Sequence, residues 1–177
     1  MYRAGTMDKR KILIPMDGSD VSRKILLPVC EFFSPDSYEI LLLRAAPVPS
    51  SQFDLSNVTS RPMILGPYGV VTTLDQEADP HPIFRDTEWS SFEEKLRREL
   101  EDDITDLRSK GYDVSVAIHF GKPAEEIVEL AKLQHVALVA MASHGRAGVK
   151  RLLEGSVTED VLHHLSIPMM IINVAEA

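Results

Sequence analysis

The sequence has few cysteines, no long apolar run and no surplus of positive charge. Its single cysteine, Cys30, cannot form a disulfide within the chain, which fits a reducing compartment and predicts a cytoplasmic protein. The longest apolar runs, 136–142 and 40–43, are far shorter than the ~20 residues of a transmembrane helix, so no membrane anchor is expected. The formal net charge of −8, from 19 lysines and arginines against 27 aspartates and glutamates, argues against a general attraction to nucleic acid.

The length and composition suit one domain, which we place at residues 11–174. Residues 1–10 are interpreted as an N-terminal extension, because no apolar stretch follows them as in a signal peptide. Six of the 11 prolines fall between positions 47 and 82, a density that neither a helix nor a central strand tolerates. We therefore predict that residues 47–88 are a long insertion within the domain rather than part of its framework.

Outside the insertion, strand-like and helix-like segments alternate. This order predicts an α/β fold of the Rossmann-like kind, with a single five-stranded parallel sheet and helices on both faces, because parallel strands need crossover helices. A kink is expected in the first helix at Pro28. The predicted strands are 12–14, 40–46, 114–119, 136–141 and 169–174, and the predicted helices are 20–33, 89–107, 123–131 and 156–165.

The expected ligand site follows from the topology of such a sheet. Ligands bind at the carboxyl ends of the strands, where the strand order reverses. For the orders 2-1-3-4-5 and 3-2-1-4-5, the first strand lies beside that reversal, and Asp17 follows this strand. Two interpretations of Asp17 stay open at this point: a residue that faces the ligand crevice, or a turn aspartate that caps the first helix.

The segment 141–158 combines glycines, a helix start and positive charge. Gly145 permits close approach of a ligand to the backbone, while Gly155 and Ser156 present free amides at the start of a helix. Helix N-termini attract anions, so the segment is typical of a phosphate site, although a simple cap followed by a solvated basic loop also fits. The basic residues are Arg146, Lys150 and Arg151.

The same segment resembles the motif of the universal stress protein family. ATP-binding members carry G-x2-G-x9-G-[S/T] between the fourth strand and the fourth helix. Here the motif reads Ala142-x2-Gly145-x9-Gly155-Ser156, with alanine in place of the first glycine and the spacing intact. A methyl group at Ala142 would crowd a nucleotide if the backbone there required a positive φ. Further resemblance lies in the stretches KILIPMDGSD, GKPAEEIVELA and SIPMMIINV.

The resemblance implies a fold like that of the adenine nucleotide alpha hydrolases and an ATP site between strands one and four. Met16 and Asp17 would lie beside the adenosine, Ala45 near the adenine, and Asp17 could help to hold Mg²⁺. Any hydrolysis is expected to be slow, because no general base is evident. The remaining implied nucleotide-binding residues are Met141, Ala142, Gly145, Arg146, Gly155, Ser156 and Val157.

The last predicted strand, 169–174, suggests self-association. Its apolar residues would leave an exposed sheet edge unless something covers it, and family members commonly pair through this strand as homodimers. The leading interpretation is a stress-response regulatory or protective module that binds ATP. The alternative is a nucleotide-free homodimeric interaction module of the same fold, in which 47–88 supplies a surface for an unidentified protein partner.

Other chemistries are disfavoured. Ser143 and His144 are adjacent but lie outside a GxSxG elbow, so a catalytic dyad is not expected. The histidines show no metal-ligand spacing. Neither a Walker A sequence nor a GxGxxG after the first strand is present. A hydrolase or pyrophosphatase of similar fold would carry SGGxDS where this chain has Asp17-Gly18-Ser19-Asp20.

Overall fold

The protein folds around one sheet with helices on both faces. The computed structural model describes residues 9–47, 63–66, 69–71, 83–145 and 156–175. The strands are β1 Arg10–Pro15, β2 Tyr38–Ala46, β3 Met63–Gly66, β4 Gly69–Val71, β5 Val114–Phe120, β6 Leu138–Gly145 and β7 Met169–Ala175. The helices are α1 Asp20–Arg23, α2 Leu26–Phe32, α3 Ile83–Arg98, α4 Glu101–Ser109, α5 Pro123–Leu133 and α6 Ser156–His164.

The order of the strands places a switch point in the middle of the sheet. The described strands run β4-β3-β5-β2-β1-β6-β7. The parallel part is the predicted five-stranded sheet in the order 3-2-1-4-5, and this prediction is confirmed. The order reverses between β1 and β6, which pair at Ile12 with Leu138 and at Leu13 with Val139. A crevice therefore opens at the carboxyl ends of β1 and β6.

Two short strands extend this sheet from within the predicted insertion. β3 runs antiparallel to β5, and β4 runs antiparallel to β3. The sequence-based interpretation of 47–88 as lying outside the framework missed this hairpin. The interpretation also placed the start of the next helix at Trp89, whereas α3 begins at Ile83, directly after the last proline of the segment. Proline restricts the residue before it but not the one after it, so a helix can begin at that point.

Two predicted helices are each divided in two. The first is interrupted at Lys24 and Ile25, because Pro28 has no amide hydrogen and its ring crowds the carbonyl one turn earlier, that of Lys24. The second, predicted over 89–107, is interrupted at Glu99 and Leu100. The amide of Leu100 bonds to the carbonyl of Arg97 instead of continuing the α-helical pattern. This second junction lies beside the crevice.

The core has two apolar layers, one on each face of the sheet. Alternation along β1 sends Ile12 and Ile14 to the layer under α2, α3 and α4, and Leu13 to the layer under α5 and α6. Each such side chain is fully buried, which contributes roughly 1.5 to 3 kcal/mol of hydrophobic free energy. None of the described helices is long and apolar enough to cross a membrane.

Candidate functional site

A cleft lies where the topology predicts it, at the carboxyl ends of the central strands. Its volume is about 360 Å³, and it is bounded by the ends of β1, β2 and β6 and by the first turns of α5 and α6. Six of the predicted site residues line it: Met16, Asp17, Ala45, Met141, Ala142 and Val157. Gly145 ends β6 and Ser156 begins α6, while Arg146 and Gly155 fall outside the described residues.

Asp17 faces the cleft, and it does not cap the first helix. It lines the cleft, and its Oδ1 accepts hydrogen bonds from the Ser19 amide at 2.9 Å and the Ser19 hydroxyl at 2.6 Å. Ser19, not Asp17, caps α1, because its Oγ accepts the amide of Ser22 at 3.1 Å. Burial acts to raise the pKa of Asp17, but the hydrogen bonds from Ser19 outweigh it and the pKa lies below its ordinary value. Asp17 is thus a fixed carboxylate at the edge of the cleft.

The backbone at Ala142 does not require glycine. Among the described residues other than glycine, only His135 has a positive φ. Ala142 sits within the β6 ladder opposite Ile172 of β7, and its methyl group packs with the layer under α2, α3 and α4 while also lining the cleft. Compared with glycine, alanine therefore takes up the space of one methyl group in the cleft and leaves the backbone unstrained.

Three hydroxyl-bearing residues also line the cleft and were missed by sequence reasoning: Ser22, Ser143 and Thr158. Ser143 and Thr158 are only 5% and 3% exposed, and neither hydroxyl donates a hydrogen bond to a residue that the structure describes. Both residues line the cleft, and neither hydroxyl is among the fully buried atoms without a partner in the described part of the chain, so both are available to a ligand. Alternation along β6 would have revealed Ser143, since it shares a strand face with Met141. Thr158 carries no comparable signal.

The apolar part of the cleft was also only partly foreseen. Leu43 of β2 lies two residues before Ala45, on the same face of the strand. Pro123 and Ile127, from the first turns of α5, cover this end of the cleft. Apolar walls with a few convergent polar groups are typical of small-molecule sites.

A buried contact between a histidine and a glutamate lies next to this apolar end. His119 of β5 is paired in register with Ala45, and its Nδ1 lies 2.8 Å from Oε2 of Glu126 in α5. The imidazole is 1% exposed, and its Nε2 has no hydrogen-bond partner among the residues that the structure describes. The pair joins the start of α5 to the end of β5. At the sequence level the histidines were considered only as metal ligands, and His119 was not connected to Glu126.

The cleft has a negatively charged group on one side and a group that favours anions on the other. The Asp17 carboxylate lies at the end of β1, where it suits sugar hydroxyls or a cation. The N-terminus of α6 lies across the cleft and favours an anion through its free amides and the helix dipole. The Thr158 hydroxyl, which bonds to no residue that the structure describes, belongs to the first turn of that helix. A ligand with a polar middle and an anionic end fits this arrangement.

Fold and cleft together define a doubly wound α/β protein with a ligand site at its switch point. A model of the universal stress protein family matches residues 66–173, and the chain belongs to that family. Its relatives include Universal stress protein MJ0577 of Methanocaldococcus jannaschii, which is 27% identical over 163 residues, 92% of this chain and 94% of the relative.

Solved structures show the same fold. A universal stress protein family protein of Arabidopsis thaliana, solved with AMP bound, has a TM-score of 0.56 and 17% identity, over 93% of this chain and 91% of that one. A universal stress protein solved in complex with cAMP has a TM-score of 0.52 and 15% identity, over 92% and 95% of the two chains.

Proposed function

We propose that this protein binds an adenine nucleotide, ATP or AMP, in the cleft between β1 and β6, and acts in the cytoplasm as a regulatory or protective module of a stress response. The observation that carries the proposal is the cleft itself, with the Asp17 carboxylate on one side and the start of α6 on the other. Two relatives of the same fold were solved with AMP and with cAMP, which supports an adenine nucleotide as the ligand.

The nucleotide would lie across the cleft with its base at the apolar end. Leu43, Ala45 and Ile127 would contact the base, and Asp17 would accept hydrogen bonds from the ribose or help to hold Mg²⁺. The phosphates would meet the amides of Ser156 and Val157 at the start of α6. Gly145, Arg146 and Gly155 would complete the phosphate site on the segment between β6 and α6.

Calorimetric titration of the full chain with Mg-ATP and with AMP tests this proposal. Replacing Thr158 by valine removes one hydroxyl of the cleft lining and keeps the shape of the side chain. The Thr158→Val variant should bind about tenfold more weakly, the effect of one hydrogen bond to a charged group. Thr105→Val, at an exposed position on α4, is the matched control and should leave affinity unchanged. The absence of any binding at about 1 mM nucleotide would refute the proposal and favour the interaction module.

If the wild type binds the nucleotide weakly, the Ala142→Gly variant tests whether the methyl group of Ala142 is the cause. Because the backbone at Ala142 has no positive φ, glycine is not needed there. The glycine variant gains only the space of one methyl group and should bind the nucleotide with nearly the affinity of the wild type. A large gain in affinity would mean that the methyl group obstructs the nucleotide.

We also propose a homodimer that forms through β7. β7 is the last strand at one edge of the described sheet, and it carries no charged residue. Edge strands of this kind template pairing with a second copy.

A further inference from the structure

Glu99 lies at the junction of α3 and α4, close to the cleft but not among the residues that line it. Two arginines from different elements converge on it. Its backbone carbonyl accepts a hydrogen bond from Nη2 of Arg23 at 3.1 Å. Its Oε2 accepts hydrogen bonds from Nε and Nη2 of Arg44 at 3.4 and 3.3 Å. Glu99 therefore ties the helix junction to both α1 and β2.

Arg44 connects Glu99 to the end of the cleft where the base would lie. β1 ends at Pro15, opposite Leu43, so the carbonyl of Ala45 lies beyond the end of the β1 ladder. Nη1 of Arg44 donates to that carbonyl at 3.1 Å. The arginine side chain is only 15% exposed and needs a compensating charge, which Glu99 supplies. Removing that charge would loosen the arginine that holds the end of β2.

Arg23 and Gly18 connect Glu99 to the other side of the cleft, where Asp17 lies. Nη1 of Arg23 donates to the carbonyl of Gly18 at 3.0 Å. Gly18 has φ +84°, and a Cβ there would lie 3.3 Å from Oε2 of Glu99. The turn that follows Asp17 thus packs directly against the Glu99 carboxylate.

We propose that Glu99 is a positioning residue of the nucleotide cleft, because it couples the α3–α4 junction to Asp17 on one side and to Ala45 on the other. The inference rests on the proposed function, since it assigns a control point to the same cleft. Coupling between two sites is reciprocal. A nucleotide that fixes the ends of β1 and β2 stabilises the helix junction, and displacement of the junction weakens nucleotide binding.

The test uses Glu99→Gln, which keeps a hydrogen-bond acceptor and removes the charge. The carboxylate is 36% exposed, so the variant is expected to fold. Glu94→Gln is the matched control, because Glu94 lies on α3 and, within the described part of the chain, pairs with the exposed Arg98 alone. AMP affinity is measured by calorimetry, and amide exchange is followed in peptides that cover 16–20 and 97–102, with and without AMP.

Three results are expected. Glu99→Gln weakens AMP binding roughly threefold to tenfold, while Glu94→Gln binds as the wild type does. Without ligand, Glu99→Gln exchanges faster than the wild type at 16–20, which a change confined to the helix surface would not produce. In the wild type, AMP slows exchange at 97–102.

The failures are distinguishable. Absence of AMP and ATP binding by the wild type overturns the proposed function and the coupling with it. Normal AMP binding with unchanged exchange at 97–102 overturns the coupling alone. Equal affinity and equal loop exchange in Glu99→Gln and wild type also overturn it.

Discussion

Gly121 lies against the side chain of Glu126 at the start of α5. A Cβ at this position would be 2.2 Å from Oε1 of Glu126, so any larger residue must push the carboxylate away. The other oxygen of that carboxylate contacts Nδ1 of His119, whose Nε2 already has no partner. Displacing Glu126 would leave a fully buried imidazole without any hydrogen bond.

We therefore expect Gly121→Ala to lower the free energy of unfolding by about 1 to 3 kcal/mol, the cost of an unsatisfied buried polar group. Urea unfolding at pH 7 measures it. The control is the same substitution in a Glu126→Ala background, where the added methyl group meets no carboxylate and should cost little. An equal cost in both backgrounds would show that the pair is not the cause.

At the scale of single residues, the predicted topology placed Asp17 at the crevice, and the family resemblance added Met16 and Ala45. All three line the cleft. Thr158 and the His119–Glu126 pair depend on how α5 and α6 pack on the sheet. That packing joins residues from separate elements, and no local pattern encodes it.

At the scale of elements, a partly buried ion pair fastens α1 to α4. Nε of Arg23 donates to Oδ2 of Asp103 at 3.1 Å, and the Asp103 side chain is nearly buried. The contact with Asp103 raises the pKa of the Arg23 guanidinium above its ordinary value. α1 has only four residues and one side-chain cap, so its position depends on such contacts.

Removing one partner of this pair should cost more than removing both. Arg23→Ala leaves a buried carboxylate without its cation and should destabilise the fold by about 2 kcal/mol. Adding Asp103→Ala should recover part of that loss. Arg97→Ala, at an exposed arginine on α3, serves as the control and should be nearly neutral. Strictly additive effects in chemical denaturation would argue against direct coupling of the pair.

The elements themselves were predictable where one physical rule dominated. Five apolar runs formed five parallel strands, because helices cover both faces of the sheet; four of these strands contribute buried residues to the core, and the edge strand β7 is half-buried. The break before Pro28 follows from the missing amide hydrogen. Two other features do not follow from local rules. The break at Glu99 involves contacts with Arg23 and Arg44, which belong to other elements. The β3–β4 hairpin depends on pairing with β5, which lies far along the chain.

At the scale of the whole molecule, the sheet ends at β7 in an edge that nothing within the described chain covers. Met170 and Ile172 pack against one core layer and Met169 against the other, so both faces of the strand are partly covered. Its outer backbone groups pair with no residue that the structure describes, and the strand has no charged residue to deter association. The charges that make up the formal net charge of −8 all lie outside β7.

Proline substitution can separate the outer edge of β7 from its inner ladder. The amide of Val139 bonds to the carbonyl of Pro168, so by alternation the amide of Ile172 points toward β6 and that of Ile171 points outward. Ile171→Pro should then remove an outward donor and crowd a second copy while it preserves the fold. Ile172→Pro should break the inner ladder and lower stability. Light scattering should give the wild type twice the 19.8 kDa mass of one chain and Ile171→Pro the mass of one. A wild type that is monomeric at micromolar concentration would contradict the dimer, and a dimeric Ile171→Pro would place the contact on another surface.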